Sequence, residues 1–167
     1  MNENYLTYAN LTRELINNMY TMNYKHNDIS YMSQNTCERY MKHIIEEYFT
    51  PTNDEERMSK TNILRSHNLN SLQNYISEKL NCRYSEETSL LIDSINGFYY
   101  TTRYPGESSM LANENDIDRC YKAVNKCYEE TVEIINNLEQ QINTYNENQQ
   151  DVLDEIIQIV SDDDASL

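Results

Sequence analysis

The chain has 167 residues, 13 Lys and Arg against 28 Asp and Glu for a formal charge of -15, two Gly, two Pro, and 15 Tyr beside two Phe and no Trp. Gly and Pro together are 4 of 167 positions, about 2 per cent against an ordinary share of roughly 12 per cent, which excludes turn-dense β-sandwiches and barrels. What remains is an all-α fold, large enough to bury roughly two thirds of the surface that the unfolded chain exposes.

In chain order, Tyr8, Leu11, Leu15, Met19 and Met22 recur at spacings of three and four, which predicts an amphipathic first helix over roughly residues 4–22. A second helix is predicted from Asp28, read as its N-cap, through Ile29, Met32, Cys37, Tyr40, Met41, Ile44, Ile45 and Tyr48, ending before Thr50-Pro51 because a residue preceding Pro is pushed out of the α region. Residues 50–67 carry no apolar period and are expected to form a long mobile connection. Asn68 then caps a third helix containing Leu69, Leu72, Ile76 and Leu80. Ser85, followed by Glu86 and Glu87, opens a fourth that carries Leu91, Ile95, Phe98 and Tyr99 and stops near Arg103-Tyr104-Pro105-Gly106.

A loop to about Asn115 precedes the strongest periodic signal, Ile117, Tyr121, Val124, Tyr128, Val132, Ile135, Leu138 and Ile142, a long fifth helix starting at Asp116. Asn- and Gln-rich residues 143–150 weaken the pattern, and Val152, Leu153, Ile156 and Val160 resume it as a sixth helix or a continuation. The tail Ser161-Asp162-Asp163-Asp164 is expected to be disordered. The predicted architecture is an up-and-down bundle of about five helices over residues 1–142, with an acidic helical extension and tail over 143–167.

Several function classes fall on the same arithmetic. Gly97 and Gly106 are too far apart to write a GxGxxG fingerprint or a Walker-type phosphate loop. A charge of -15 disfavours direct DNA or RNA binding unless the few cations are gathered in one place. No apolar run spans a bilayer and the start of the chain has no signal-peptide pattern, so no membrane association and a cytoplasmic location are expected. Cys37, Cys82, Cys120 and Cys127 lack CxxC spacing and read as reduced, core-packing thiols; the last two sit about 10 Å apart along one helix.

His26, His43 and His67 form neither an HExxH pair nor a Cys/His cluster, and none has a Glu three residues before it, so no metal is predicted. Acid pairs such as Glu46-Glu47, Glu86-Glu87 and Glu129-Glu130 read as solvated helix faces. More informative are the scarce cations at segment ends: Lys42 one turn after Glu38, Arg65 beside His67 and Asn68, and Arg103 with Tyr99, Tyr100 and Tyr104. Each has a structural explanation alone: an i,i+4 pair for Lys42 and a dipole-facing cation for Arg103. Gathered in one cleft of an acidic protein, they would select an anion.

These residues carry a resemblance. Cys37-Glu38-Arg39-Tyr40-Met41-Lys42 resembles the second helix of the HEPN family, in which an acid-lysine pair is followed by a second lysine; Glu38 and Lys42 match the acid and second lysine, and Arg39 stands for the first. Ser66-His67-Asn68-Leu69 is similar to the family's threonine-histidine-aspartate-leucine entry to its third helix, and Tyr99 through Gly106 to its tyrosine-rich arginine-tyrosine-proline end of the fourth. The resemblance spans roughly residues 5–140.

The family's ribonuclease motif, an arginine followed after four to six residues by histidine, is missing: Arg39 precedes His43 by three intervening residues and Arg65 precedes His67 by one. The resemblance therefore implies the non-nuclease branch: a homodimeric helical module that binds a nucleotide such as ATP or GTP, or partners a separate minimal nucleotidyltransferase in a toxin-antitoxin or phage-defence system. Lys42, Arg65, His67, Tyr99, Arg103 and Tyr104 are then the ligand residues, cations for phosphate and a tyrosine for the base, with no catalytic residue and no other cofactor. Two alternatives stand beside it. One is an interaction module that uses apolar helix faces and the acidic C-terminal segment; the other is an atypical ribonuclease working through Arg39 and His43 or Arg65 and His67.

Overall fold

A computed structural model describes residues 4–164 apart from positions 104 and 108, with side chains described through residue 150. The described residues are helical, without strands: α1 Tyr5–Thr21, α2 Asp28–Tyr48, α3 Asp54–Leu64, α4 Leu69–Leu80, α5 Glu86–Ile95, the one-turn α6 Phe98–Thr101 and α7 Glu114–Asp164. No helix among the described residues is long and apolar enough to cross a membrane. The chain divides into two compact units, Met1–Val132 and Glu133–Leu167, with the boundary inside α7.

In the first unit α2 is the central element, packed by α1, α3, α4, α5 and α6. Thirteen of its 21 residues are buried, far more than one amphipathic stripe supplies, so polar side chains are carried into the interior and must be paired there. Ile29, Cys37, Tyr40, Met41, Ile44 and Ile45 are fully buried, each large apolar side chain contributing about 1.5–3 kcal/mol. Tyr40 donates its hydroxyl to Asn10 Oδ1 at 2.9 Å and tilts against Tyr128 of α7. Across the same side, Arg13 lies 3.8 Å over the Tyr128 ring and bonds Asn125. Cys37, Cys120 and Cys127 are buried free thiols and Cys82 is a half-buried one.

Four sequence expectations change. Residues 50–67 are no mobile connection: α3 forms inside them although it buries no residue. It rests on its ends, because Asn53 Oδ1 accepts the Glu56 N–H at 2.9 Å while Glu56 reaches back to the Thr52 N–H, and three acids occupy its first turn. The expected fourth helix is broken after Ile95, since Gly97 takes φ +104 before α6 begins. Asp28 lies in the first turn of α2 rather than at its cap. The cap position belongs to Asn27, whose amide is spent on the Thr102 carbonyl and the Ala112 N–H. Finally, α7 starts two residues early on a reciprocal Asn113–Asp116 cap and stays helical through residues 143–150 and the acidic residues 162–164 expected to be disordered. Tyr104 lies outside the described residues.

In the second unit the helix continues from Glu133; Ile134 and Leu138 are buried, and residues 139–150 are all exposed.

His43, on α2, is only 6 % exposed and its Nδ1 has no hydrogen-bond partner. Burial pushes the imidazole below its ordinary value of 6.5, against the opposing pull of Glu47 and Glu46. The folded state thus prefers neutral His43, a contribution fully present above the unfolded value and lost as pH falls below it toward the depressed folded value. Thermal melts should show wild type losing stability from neutral pH to about pH 5.5 more steeply than His43→Gln; equal slopes would contradict this.

Candidate functional site

Gln34, Glu38 and Lys42 stand one turn apart along α2 and share a face. All three are buried, so each must find partners in the interior. Lys42 Nζ donates to Glu38 Oε1 at 2.6 Å, and the second carboxylate oxygen, Oε2, lies 3.0 Å from His67 Nδ1. An ionised carboxylate only accepts, which assigns the imidazole proton to Nδ1. One turn earlier, Gln34 Nε2 donates to the His67 carbonyl at 3.0 Å, while its Oε1 accepts the N–H groups of Gly97 at 2.9 Å and Tyr99 at 2.7 Å. A single face of α2 therefore fixes both the α3–α4 connection and the α5–α6 turn. A Cβ at Gly97 would meet nothing within 4 Å, so glycine is required there by its positive φ and not by space.

The two segments meet in an aromatic stack. His67 and Tyr99 lie parallel, with centroids 5.1 Å apart and planes 5° apart, and Tyr100 stands edge-on to both. Arg103 Nη1 donates to the Tyr99 hydroxyl at 2.6 Å, and its guanidinium sits 5.2 Å from the Tyr99 ring and 5.7 Å from Tyr31.

Two clefts flank this stack. The first, about 260 Å³, is lined by Thr12, Tyr31, Asn35, Arg39, Tyr99 and Arg103. Arg39 is held by a 3.0 Å bond to Thr12 Oγ1 and lies over the Tyr8 ring. Two guanidinium groups and two tyrosine rings thus meet with no carboxylate among the lining residues, in a chain of net charge -15. The second, about 300 Å³, is lined by Ser66, His67, Asn68, Asn96, Gly97 and Tyr100.

Of the residues singled out in the sequence, His67, Tyr99 and Arg103 come together. Lys42 does not line either cleft: its side chain is buried against Glu38, behind His67. Arg65 is exposed at the C-terminal end of α3 and lines neither cleft. Gln34, Tyr31, Asn35 and Asn96, and a ligand role for Arg39, enter only with the structure. The ladders Tyr31-Asn35-Arg39 and Gln34-Glu38-Lys42 are visible as i,i+4 repeats, but which loops they face is not written locally. His43, the other half of the Arg39 pairing weighed for ribonuclease chemistry, is buried, and His67 Nδ1 is occupied by Glu38.

Among protein-family models, the HEPN domain matches this chain over residues 58–140. The match contains His67, Tyr99 and Arg103 and begins after α2 has ended. No curated protein and no solved structure matches.

Removing one partner of a buried ion pair strands the other charge, a loss of about 3–5 kcal/mol, whereas removing both charges costs far less. Urea unfolding should therefore find Lys42→Met more destabilising than the Glu38→Gln/Lys42→Met double variant. A double variant whose loss is the sum of the two single losses would show that the pair is not coupled.

Proposed function

Because residues 58–140 of this chain are a HEPN domain, we propose that it is a non-nuclease nucleotide-binding module whose ligand occupies the cleft between Arg39 and Arg103. The supporting observation is the cleft's composition: two guanidinium groups, which stay charged at all working pH and match phosphate oxygens in a fork geometry, beside two tyrosine rings of the size and planarity of a base. In a molecule of net charge -15 such a cleft attracts an anion locally while the remaining surface repels polyanions. Lys42 acts from behind: it holds one oxygen of Glu38 while the other oxygen meets His67, which is stacked on Tyr99. In this reading the module works as a homodimer or beside a separate minimal nucleotidyltransferase chain, as the family resemblance implies. No arginine in the chain is followed by histidine after four to six residues, which supports the non-nuclease branch.

A different observation favours a second reading, a protein-interaction module. No Lys or Arg follows Lys126, and Ile142 and Tyr145 are exposed on α7, an acidic helix with uncovered apolar side chains.

Isothermal titration with ATP and GTP tests the first reading. Binding is expected for at least one of them, weakening as salt rises and falling about tenfold or more in Arg103→Ala, the usual loss for one charged hydrogen bond to phosphate. Absence of heat at about 1 mM nucleotide, or affinity indifferent to Arg103→Ala, would end it. For the second reading, truncation after residue 142 should abolish capture of a partner while the helical circular dichroism of the remaining chain persists; undiminished capture would end that one.

A further inference from the structure

The second unit carries an apolar seam. From Glu133 to Asp164 the chain runs on as one helix, about 48 Å long. Ile134 and Leu138 are buried near its start, but from residue 139 to residue 150 every side chain is exposed, Ile142 at 48 % and Tyr145 at 63 %. A long helix draws most of its stability from packing an apolar face. Exposed apolar side chains are ordinary when they stand singly; these stand in a row.

Ile135, Leu138, Ile142 and Tyr145 follow one another at alternating steps of three and four. The sequence keeps those steps without a break through Gln149, Val152, Ile156 and Ile159. Such strict alternation is a seven-residue repeat, the period at which two helices stay in register around each other, and it is sustained here for roughly three and a half heptads. Gln149 is the one polar member of the row. A single polar residue in an otherwise apolar seam fixes the register of the pair at some cost in stability.

Charge says what covers the seam. Residues 133–164 hold nine Asp and Glu and no Lys or Arg. The positions beside the seam carry Glu139, Glu155 and Asp162 and no cation. A second copy of this helix would lay nine acids along nine more, with no cation on either strand to offset them. Anionic lipid is repelled by the same charge. A helix with apolar residues at the same heptad positions and Lys or Arg beside them satisfies both the seam and its flanks. We infer that residues 135–159 form one strand of a coiled coil whose other strand is a basic amphipathic helix of a different protein, with a polar residue opposite Gln149. The inference rests on the protein-interaction reading above and adds the docking segment and the chemistry of the partner.

The test uses the full chain and two synthetic helices of about four heptads, alike in their Ile and Leu seam with one Asn in it, and flanked by Lys in one and by Glu in the other. Fluorescence anisotropy should show the lysine helix binding one to one and at least about tenfold more tightly than the glutamate helix, the gap narrowing as salt rises. The Ile142→Asn/Tyr145→Asn double variant changes no charge and alters only exposed positions. It should weaken binding of the lysine helix about tenfold or more and leave the melting temperature unchanged. Equal affinity for the two helices overturns the inference, as does affinity indifferent to the double variant, which would reduce the contact to attraction between opposite charges. A dimer in sedimentation velocity that the double variant dissolves also overturns it, by giving the seam to a second copy. Failure of the lysine helix to bind overturns it too and leaves the interaction reading standing, since that reading is decided by truncation after residue 142.

Discussion

The arrangement depends on one buried carboxylate. Glu38 is placed inside the bundle by a helix too deeply packed for its polar side chains to reach water, and two partners meet its carboxylate there. Lys42, from the same helix, supplies the compensating charge; His67, from a connection far along the chain, supplies the second hydrogen bond. In the low dielectric of the interior such contacts are stronger than at the surface and their loss is correspondingly expensive. The ring of His67 is therefore held at a defined angle, and Tyr99, stacked on it and tied through its own N–H to Gln34, inherits that angle. Arg103 reaches the Tyr99 hydroxyl in turn. A relay of five side chains runs from the core to the cleft, so the geometry of the surface site is set by interior electrostatics rather than by loop conformation.

The same logic gives the acidic composition a use. With a net charge of -15 the molecule repels phosphate at long range. In the proposed function, a cleft with two arginines and no carboxylate among its lining residues would admit a small, compact anion and disfavour an extended nucleic acid that must also lie along the acidic surface.

Much of the scaffold was legible. The three-and-four spacing of apolar residues located α1, α2, α4 and the first part of α7, and Asn68 and Ser85 act as the caps their sequence context suggested. The failures share a cause: local apolar period was the wrong signal where tertiary or terminal bonds decide. The α3 helix buries nothing, so no stripe announces it, although Asn53 and Glu56 write its cap and Lys60 ties it to the Glu46 and Phe49 carbonyls. Period continued through Ile95 into Phe98 and Tyr99, yet Gly97 and the distant Gln34 oxygen turn the backbone there. At the site, cations and rings at segment ends pointed to His67, Tyr99 and Arg103. Charge groups Lys42 with them because it does not say whether a lysine faces solvent or a buried acid, and a ligand role for Arg39, beyond its place in the family resemblance, is not legible because its neighbour across the cleft is more than sixty residues away in the chain.

The coupling of core to cleft is tested most directly at the His67 imidazole, by long-range nitrogen-proton correlation NMR of the folded protein. A Glu38 carboxylate bonded to Nδ1 requires the proton to reside on Nδ1, giving a fixed ring whose pattern collapses in Glu38→Ala. A ring protonated on Nε2 alone, or one averaging between tautomers in wild type, would mean that Glu38 does not hold His67 and that the cleft is organised by something else.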